Sequence, residues 1–330
     1  MLNNPDMTPD MTPEEFVMIR DFIHQRCGIY FAESKMYLLK NRLITRMSEL
    51  NIKTYRDYFY AVKYDSSNTE FGQLINLVTT NETYFFRNEP QLRSFSEELL
   101  PQLVKQAEGS RFKRPIKIWS AGCSTGEEPY TLAMLILDKL GPRNNLQFEI
   151  IANDISEQVL KKARVGEYTG QTLRYVKPNV LAKHFTRKEN SEVYLIKPEV
   201  RSMVRFSHIN LADQRQVARH SDIDIIFCRN VMIYFSDQMK SQIVRGFYNS
   251  LRPGGHFYIG HSETLHGLTK AFKLVYLKNS LVYHKENLKV ENRSNGLRGM
   301  NTTTSIGTTS GASRALDLLS KVKPVTAGTK

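Results

Sequence analysis

The residues of this chain best placed for chemistry begin with Ser120-Ala-Gly-Cys-Ser-Thr-Gly126 and continue into Glu127-Glu-Pro-Tyr130. Glycines at 122 and 126 permit a sharp turn and a close backbone approach, and a helix opening directly after them presents unpaired N–H groups to a ligand. Such a loop cradles a nucleotide. Glu127 repels a pyrophosphate but accepts hydrogen bonds from a ribose or attracts a cation, so a nucleoside carrying positive charge is expected. Asp154 ends the run Phe148-Glu-Ile-Ile-Ala-Asn-Asp, where an acid can take both ribose hydroxyls; its other reading is a helix-capping aspartate. It lies about thirty residues past Gly122, not the usual roughly twenty, and a long helix with the Gly141-Pro142 loop accounts for the excess. Asn210 and Leu211 end a third run and can flank an adenine ring. Arg229, Asn230 and Tyr234 follow a fourth, Asp222 to Cys228, and face the reacting part of a cofactor, although Tyr234 also reads as a core aromatic with a satisfied hydroxyl.

The elements that must hold these residues are strands and helices in alternation. Ile116-Lys-Ile-Trp, Phe148 to Asp154, Met203 to Leu211, Asp222 to Asn230 and His256 to Gly260 read as strands; Glu127 to Leu137, Ser156 to Tyr168 and Asp237 to Leu251 read as helices. Alternation of this kind makes a parallel sheet with ligands at the carboxyl ends of its strands. Pro253-Gly-Gly is expected to stop the last of those helices, and Phe272 to Leu277 with Leu281 to His284 to form a terminal hairpin. Gly166 to Arg201 interrupts the pattern with a basic, proline-punctuated piece expected to carry a few antiparallel strands.

Before the sheet, Thr12-Pro-Glu-Glu15 is a capping box with proline at the first helical position. A second helix is expected from Ser34 to Leu50 with Leu39, Leu43, Met47 and Leu50 on its apolar face and Lys35, Arg42 and Arg46 on the other. From Glu33 to Lys63 the basic residues are Lys35, Lys40, Arg42, Arg46, Lys53, Arg56 and Lys63, against Glu33, Glu49 and Asp57, whereas Met1 to Ala32 is acidic. The charge is therefore placed, which weighs against the other reading of this face as an ordinary solvated one. Residues 54–78 complete a small helical bundle. Asn81-Glu-Thr-Tyr-Phe-Phe-Arg87 then breaks the pattern: its aromatics pin a junction between two domains, and Asn81, Thr83 and Arg87 either serve that junction alone or reach into the nucleoside pocket, Arg87 holding a carboxylate.

With 330 residues, 41% hydrophobic and 24% charged, the chain is long enough for two packed domains. Its net charge of +13 calls for acidic partners. No apolar run approaches about 18 residues and no signal peptide is visible, so a cytoplasmic protein is expected, neither secreted nor integral to a membrane. Cys27, Cys123 and Cys228 lack paired spacing, and the histidines share none either, so no metal is expected. The low-complexity stretch from Asn301 to Gly311 is expected to be disordered, with Ala315 to Leu319 able to form a short helix.

Five motifs in order, Asn81 to Arg87, Ala121 to Tyr130, Ala152-Asn-Asp-Ile155, Cys228-Arg-Asn-Val-Met-Ile-Tyr-Phe235 and Leu251-Arg-Pro-Gly-Gly255, resemble the chemotaxis receptor glutamate methyltransferases, the CheR family. The resemblance spans residues 12 to 286. It implies an all-α N-terminal domain (12–90) and an α/β, Rossmann-like S-adenosylmethionine domain (91–286) with a small antiparallel β-subdomain (167–202), between disordered ends at 1–11 and 287–330. It also implies that Asn81, Thr83, Arg87, Glu127, Asp154, Asn210, Leu211, Arg229 and Asn230 hold the cofactor, which Gly122 lets approach the backbone, with Arg87 and Tyr234 beside the methyl-transfer site. The implied partners are acidic helical cytoplasmic domains of chemoreceptors, docked through Lys35, Arg42 and Arg46, and the protein is expected to be a monomer.

The chemistry is consistent with that implication. A sulfonium methyl is already activated and a glutamate, with a usual pKa of about 4.3, is ionised at neutral pH, so no strong base is needed. Positioning and exclusion of water suffice, with Tyr84, Phe85, Phe86 and Tyr234 as apolar walls. The turn Arg187 to Glu192 is short and lacks glycine, unlike the longer, glycine-rich loop of family members that tether to a receptor's C-terminal pentapeptide, so no tether is expected. An RNA methyltransferase would carry an Asn/Asp-Pro-Pro-aromatic run where this chain has Arg229-Asn-Val-Met. A dehydrogenase would carry GxGxxG. A nonenzymatic sensor would have no need of Arg87 and Tyr234.

Overall fold

A computed structural model describes residues 10–111, 114–141 and 146–287. Expectations for residues 1–9, for Pro142 and for the tail from 288 lie outside the described residues. Thr12 caps α1 (Pro13–Cys27) reciprocally: its hydroxyl accepts the Glu15 N–H at 3.2 Å and the Glu15 carboxylate accepts the Thr12 N–H at 3.0 Å. Helices α2 (Met36–Glu49), α3 (Tyr55–Tyr64) and α4 (Thr69–Val78) pack with α1 around Phe16, Ile19, Leu39, Leu43, Tyr58 and Leu74. Leu50 departs from the expected face because the helix ends at Glu49, leaving Leu50 as an exposed cap. Asp10 and Met11 belong to this bundle and not to a loose terminus: Met11 is buried, and Asp10 pairs with Lys40 at 2.7 Å.

The chain leaves the helical core at Val78 and enters the second core at Phe85, ahead of the expected boundary at 90. α5 (Glu89–Ser94) passes through a π-turn at Phe95–Leu99 into α6 (Leu100–Glu108), the Leu100 N–H reaching the Phe95 carbonyl. Pro101 explains the widened turn, since it lacks an amide and its ring crowds the preceding turn.

A seven-stranded sheet follows. β1 (Ile116–Ala121), α7 (Glu127–Leu140), β2 (Phe148–Asp154) and α8 (Glu157–Val165) precede an insertion. That insertion contains β3 (Glu167–Tyr168), α9 (Pro178–His184), β4 (Phe185–Arg187), β5 (Tyr194–Ile196) and α10 (Pro198–Arg201), its strands pairing antiparallel in the order β3-β5-β4. The sheet resumes with β6 (Val204–His208), α11 (Gln214–Val217), β7 (Ile223–Cys228), α12 (Asp237–Ser250), β8 (Leu251–Ile259), β9 (Lys273–Tyr276) and β10 (Leu281–His284). Its order is β6-β2-β1-β7-β8-β10-β9, parallel through β8, with the terminal hairpin antiparallel at one edge. Pro253-Gly-Gly ends no helix, because α12 has already closed at Ser250; these residues lie inside β8, where the register against β7 shifts between Ile223 and Ile225.

Strand order reverses between β1 and β7, and an open parallel sheet has its ligand crevice at that point, outside the carboxyl ends. The helical bundle closes over this crevice. Tyr30 N–H donates to the Tyr234 carbonyl at 2.9 Å, and Ser156 Oγ donates to Asn76 Oδ1 at 2.7 Å.

Candidate active site

A cavity of about 270 Å³ occupies the crevice between the bundle and the strand ends. Its floor is the loop after β1. Gly122 has φ 76°, and a Cβ there would stand 2.5 Å from Val231 Cγ2, so only glycine fits. Ser124 and Gly126 also take positive φ, and Asp154 fixes this shape: its Oδ2 accepts the Ser124 N–H at 2.8 Å and its Oδ1 the Ser156 N–H at 2.9 Å. Burial raises the Asp154 carboxyl's pKa and those amides oppose the rise. Asp154 therefore braces the loop and the approach to the next helix while lining the cavity; the cap of that helix is Ser156, whose hydroxyl accepts the Val159 N–H.

Glu127 lies away from the cavity. Its carboxylate is fully buried, accepts the Thr125 hydroxyl at 2.9 and 2.7 Å, and does not line the cavity; burial pushes its pKa up to about 7. The neighbouring Glu128 faces the cavity instead, because successive helical residues point about 100° apart. Glu128 Oε1 accepts the Ser120 hydroxyl at 2.6 Å, and Oε2 lies 3.3 Å from Arg229 Nη1. Burial works against both charges, raising the Glu128 pKa and lowering that of Arg229, and their pairing offsets it. Arg229 also donates from Nη2 to the Arg87 carbonyl, while its buried Nε has no protein partner.

The roof comes from the junction. Asn81, Thr83, Tyr84 and Arg87 all line the cavity, the outcome that the residues alone leave open. The Asn81 carbonyl accepts the Ser124 hydroxyl at 3.3 Å, and Arg87 Nη1 donates to the Glu82 carbonyl at 3.1 Å with its guanidinium 5.6 Å from the Tyr84 ring centre. Tyr234 lines the same cavity and donates its hydroxyl to the Thr80 carbonyl at 3.3 Å. Phe85 and Phe86 are not walls here. Phe85 is buried edge-to-face against Tyr168 and Phe185, and Phe86, at φ 60°, turns away with its N–H on Thr131 Oγ1.

At the other end, Asn210 and Leu211 line the cavity, and Asn210 Nδ2 donates to the Arg26 carbonyl at the end of α1, 2.9 Å away. Asn230, in left-handed conformation, lines it beside Val231. Sequence reasoning missed Glu263, which holds this strand end: its Oε2 accepts the Asn230 and Gly260 N–H groups at 2.9 and 2.6 Å, and its Oε1 the Ile233 N–H at 3.3 Å. An acid just past β8 was the one available signal.

The three docking candidates separate. Lys35 Nζ makes no hydrogen bond or ion pair among the described residues. Arg42 is half-buried and donates to the Val78 carbonyl and, at 2.8 Å, to Thr80 Oγ1, so it pins the junction. Arg46 is held by Glu70 at 2.6 Å and Glu49 at 2.9 Å, which leaves its charge largely matched.

Comparison with known proteins agrees with this architecture. Residues 14–79 match the family described as "CheR methyltransferase, all-alpha domain" and residues 81–281 that described as "CheR methyltransferase, SAM binding domain". Chemotaxis protein methyltransferase 2 of Vibrio cholerae is 35% identical over 87% of this chain and 98% of its own length. Chemotaxis protein methyltransferase 1 of Pseudomonas aeruginosa is 34% identical over 82% and 97%, and the chemotaxis protein methyltransferase of Borreliella burgdorferi 32% over 80% and 93%. The chain belongs to the CheR methyltransferase family.

Proposed function

We infer that this protein methylates glutamate side chains of chemoreceptors with S-adenosylmethionine, giving glutamyl methyl esters and S-adenosylhomocysteine for adaptation in chemotaxis or a related signalling process. One observation carries the reading: the crevice at the β1/β7 switch point holds an acid, Glu128, and is roofed by Arg87 and Tyr234. The residues present fit a cationic nucleoside. Ile155, Ile209, Leu211 and Val231 are apolar walls for a base, Asp154 stands at the ribose-facing strand end, and Glu128 suits an ammonium. Asn81, Thr83, Arg87, Gly122, Glu128, Asp154, Asn210, Leu211, Arg229 and Asn230 are proposed to hold the cofactor, Glu128 taking the part first given to Glu127.

S-adenosylmethionine supplies a sulfonium methyl that needs no acid or base to leave. What remains for the protein is alignment. Arg87 orients the incoming carboxylate and Tyr234 walls the opposite side, and the closed bundle excludes water that would solvate both charges. Transfer cancels one positive and one negative charge, so a half-apolar cavity favours the transition state over the separated ions. Incubation with tritiated S-adenosylmethionine and receptor fragments is the test. Base-labile label supports an ester; stable label, or none with any receptor, rejects the reading.

The acidic helices of the receptor are proposed to approach the face bearing Lys35. No pentapeptide tether is proposed, since the β4–β5 turn is only Lys188 to Val193, and low-micromolar binding of such a peptide in calorimetry would refute this. A cytoplasmic monomer working without a metal completes the reading; light scattering and retention of activity in a chelator check the last two. Among the described residues no helix is long and apolar enough to cross a membrane.

A further inference from the structure

A second cavity, of about 460 Å³, adjoins the first, and Tyr84 and Leu92 line both. Its walls mix apolar side chains, Leu135, Tyr175 and Val180, with Lys177, whose Nζ makes no hydrogen bond or ion pair among the described residues. Arg174 lies over the two aromatic rings that line it, 3.9 Å from the Tyr84 centre and 5.3 Å from that of Tyr175. Only Nη1 of Arg174 donates hydrogen bonds, to the Gln171 carbonyl at 3.0 Å and to Gln171 Oε1 at 3.4 Å; the exposed Glu82 carboxylate stays 3.9 Å from Nη2, beyond hydrogen-bond distance. Of the acids around the cavity, Asp138 is held by Lys183 at 2.5 Å and His184 at 2.8 Å, and Glu89 is exposed at its rim.

Tyr84 thus has two guanidiniums near its ring. Arg87, 5.6 Å from its centre, belongs to the proposed methyl-transfer site, and Arg174 belongs to the insertion. On a helix, side chains three or four residues apart share a face with Cβ atoms about 5–6 Å apart. A helix presenting one carboxylate to Arg87 therefore carries a second, one turn along, to the neighbouring cation. We propose that Arg174 and Lys177 form a second anionic subsite, which binds a carboxylate of the substrate helix one turn from the glutamate that is methylated. This rests on the function proposed above, and charge complementarity selects the occupant: Lys177 without an ion pair among the described residues and Arg174 paired only at 3.9 Å with the exposed Glu82, beside a site proposed to take a carboxylate.

The test uses the full chain and receptor fragments in which each acid three or four residues from the methylated glutamate is changed singly to Gln. For wild type, kcat/KM falls about 10-fold for one such change, the size of a lost charge-assisted pair at a half-exposed site. For Arg174→Ala and for Lys177→Ala the same change costs clearly less than in wild type, and for the double variant less than twofold, because one or both partners of the carboxylate are already gone. Lys177 Nζ makes no hydrogen bond or ion pair among the described residues, so its variant reports even if Arg174→Ala misfolds. Affinity for S-adenosylhomocysteine stays at the wild-type value in Lys177→Ala. Equal losses with acidic and Gln fragments overturn the subsite while leaving the enzyme's function intact. Absence of transfer by wild type to any fragment overturns both.

Discussion

Arg42 decides between two accounts of the basic helix. Its charge and position suggest docking, but its guanidinium donates to the Val78 carbonyl and Thr80 Oγ1 at the root of the segment that roofs the cofactor cavity. Tyr234 bonds to the carbonyl of the same Thr80, and Asn81 follows directly. Arg42→Ala removes two hydrogen bonds from a charged donor, each worth about 1.5–3 kcal/mol, and the half-exposed site lets water replace part of them, leaving about 2 kcal/mol. If that loss falls on the ordered junction, affinity for S-adenosylhomocysteine drops about 30-fold, at about 1.4 kcal/mol per factor of ten. Calorimetric titration with the product, with no receptor present, reads this directly. Arg42→Lys is expected to lose nearly as much, since a lysine keeps the charge but not the fork that spans both acceptors. Lys35→Ala is the contrasting variant: unchanged product affinity and a raised KM for receptor. Product affinity in Arg42→Ala within twofold of wild type would refute the argument and return Arg42 to docking.

Other consequences follow from the same geometry. Glu128→Gln leaves Arg229 buried without its counter-charge, so a loss of about 3–5 kcal/mol in stability by denaturant titration is expected, with weakened product binding. Glu127 behaves differently: burial lifts its folded pKa to about 7 from 4.5, so the folded state holds the extra proton and stability falls as pH rises from about 4.5 to 7, then levels. Glu127→Gln mimics the neutral acid, and the gap between its Tm and that of wild type should widen in its favour from pH 5 to pH 8; a constant gap would contradict the assignment. Gly122→Ala drives a methyl into Val231 and should abolish product binding, with Val231→Ala in the same chain restoring part of it. Burial pushes the Cys27 thiol up to about 12 and those of Cys123 and Cys228 well up, so a thiol reagent at pH 8 should titrate none of the three until the protein is denatured.

Much of this arrangement is legible in the residues because local rules and global fold agree there. The Thr12 capping box, the glycine loop and the acid ending β2 each depend on a few neighbouring residues. What escapes the sequence depends on rotation or on distant partners. Glu127 and Glu128 are adjacent and identical, and only the way α7 lies on the sheet turns one into the core and the other into the cavity. Phe85 and Tyr84 alternate in the same way across an extended junction. Arg42 looks free because its acceptors, the Val78 carbonyl and the Thr80 hydroxyl, lie 36 and 38 residues away, and nothing in the sequence pairs positions so distant. Pro253-Gly-Gly reads as a stop, yet an irregular strand with a shifted register accommodates it.

Those backbone acceptors make the helical bundle part of the catalytic apparatus. Asn210 is oriented by the Arg26 carbonyl, Tyr234 by the Thr80 carbonyl and the Tyr30 amide, and the junction by Arg42. Apart from Arg42, these contacts use the backbone of the N-terminal part, so that most of its side chains can vary while the site is held. They do require the bundle to be seated. A cofactor bound between the two parts contacts both, and it must therefore stabilise their docking by the same free energy with which docking strengthens its own binding. On the function proposed above, a receptor helix reaching the crevice meets a site whose two parts the cofactor helps to hold together.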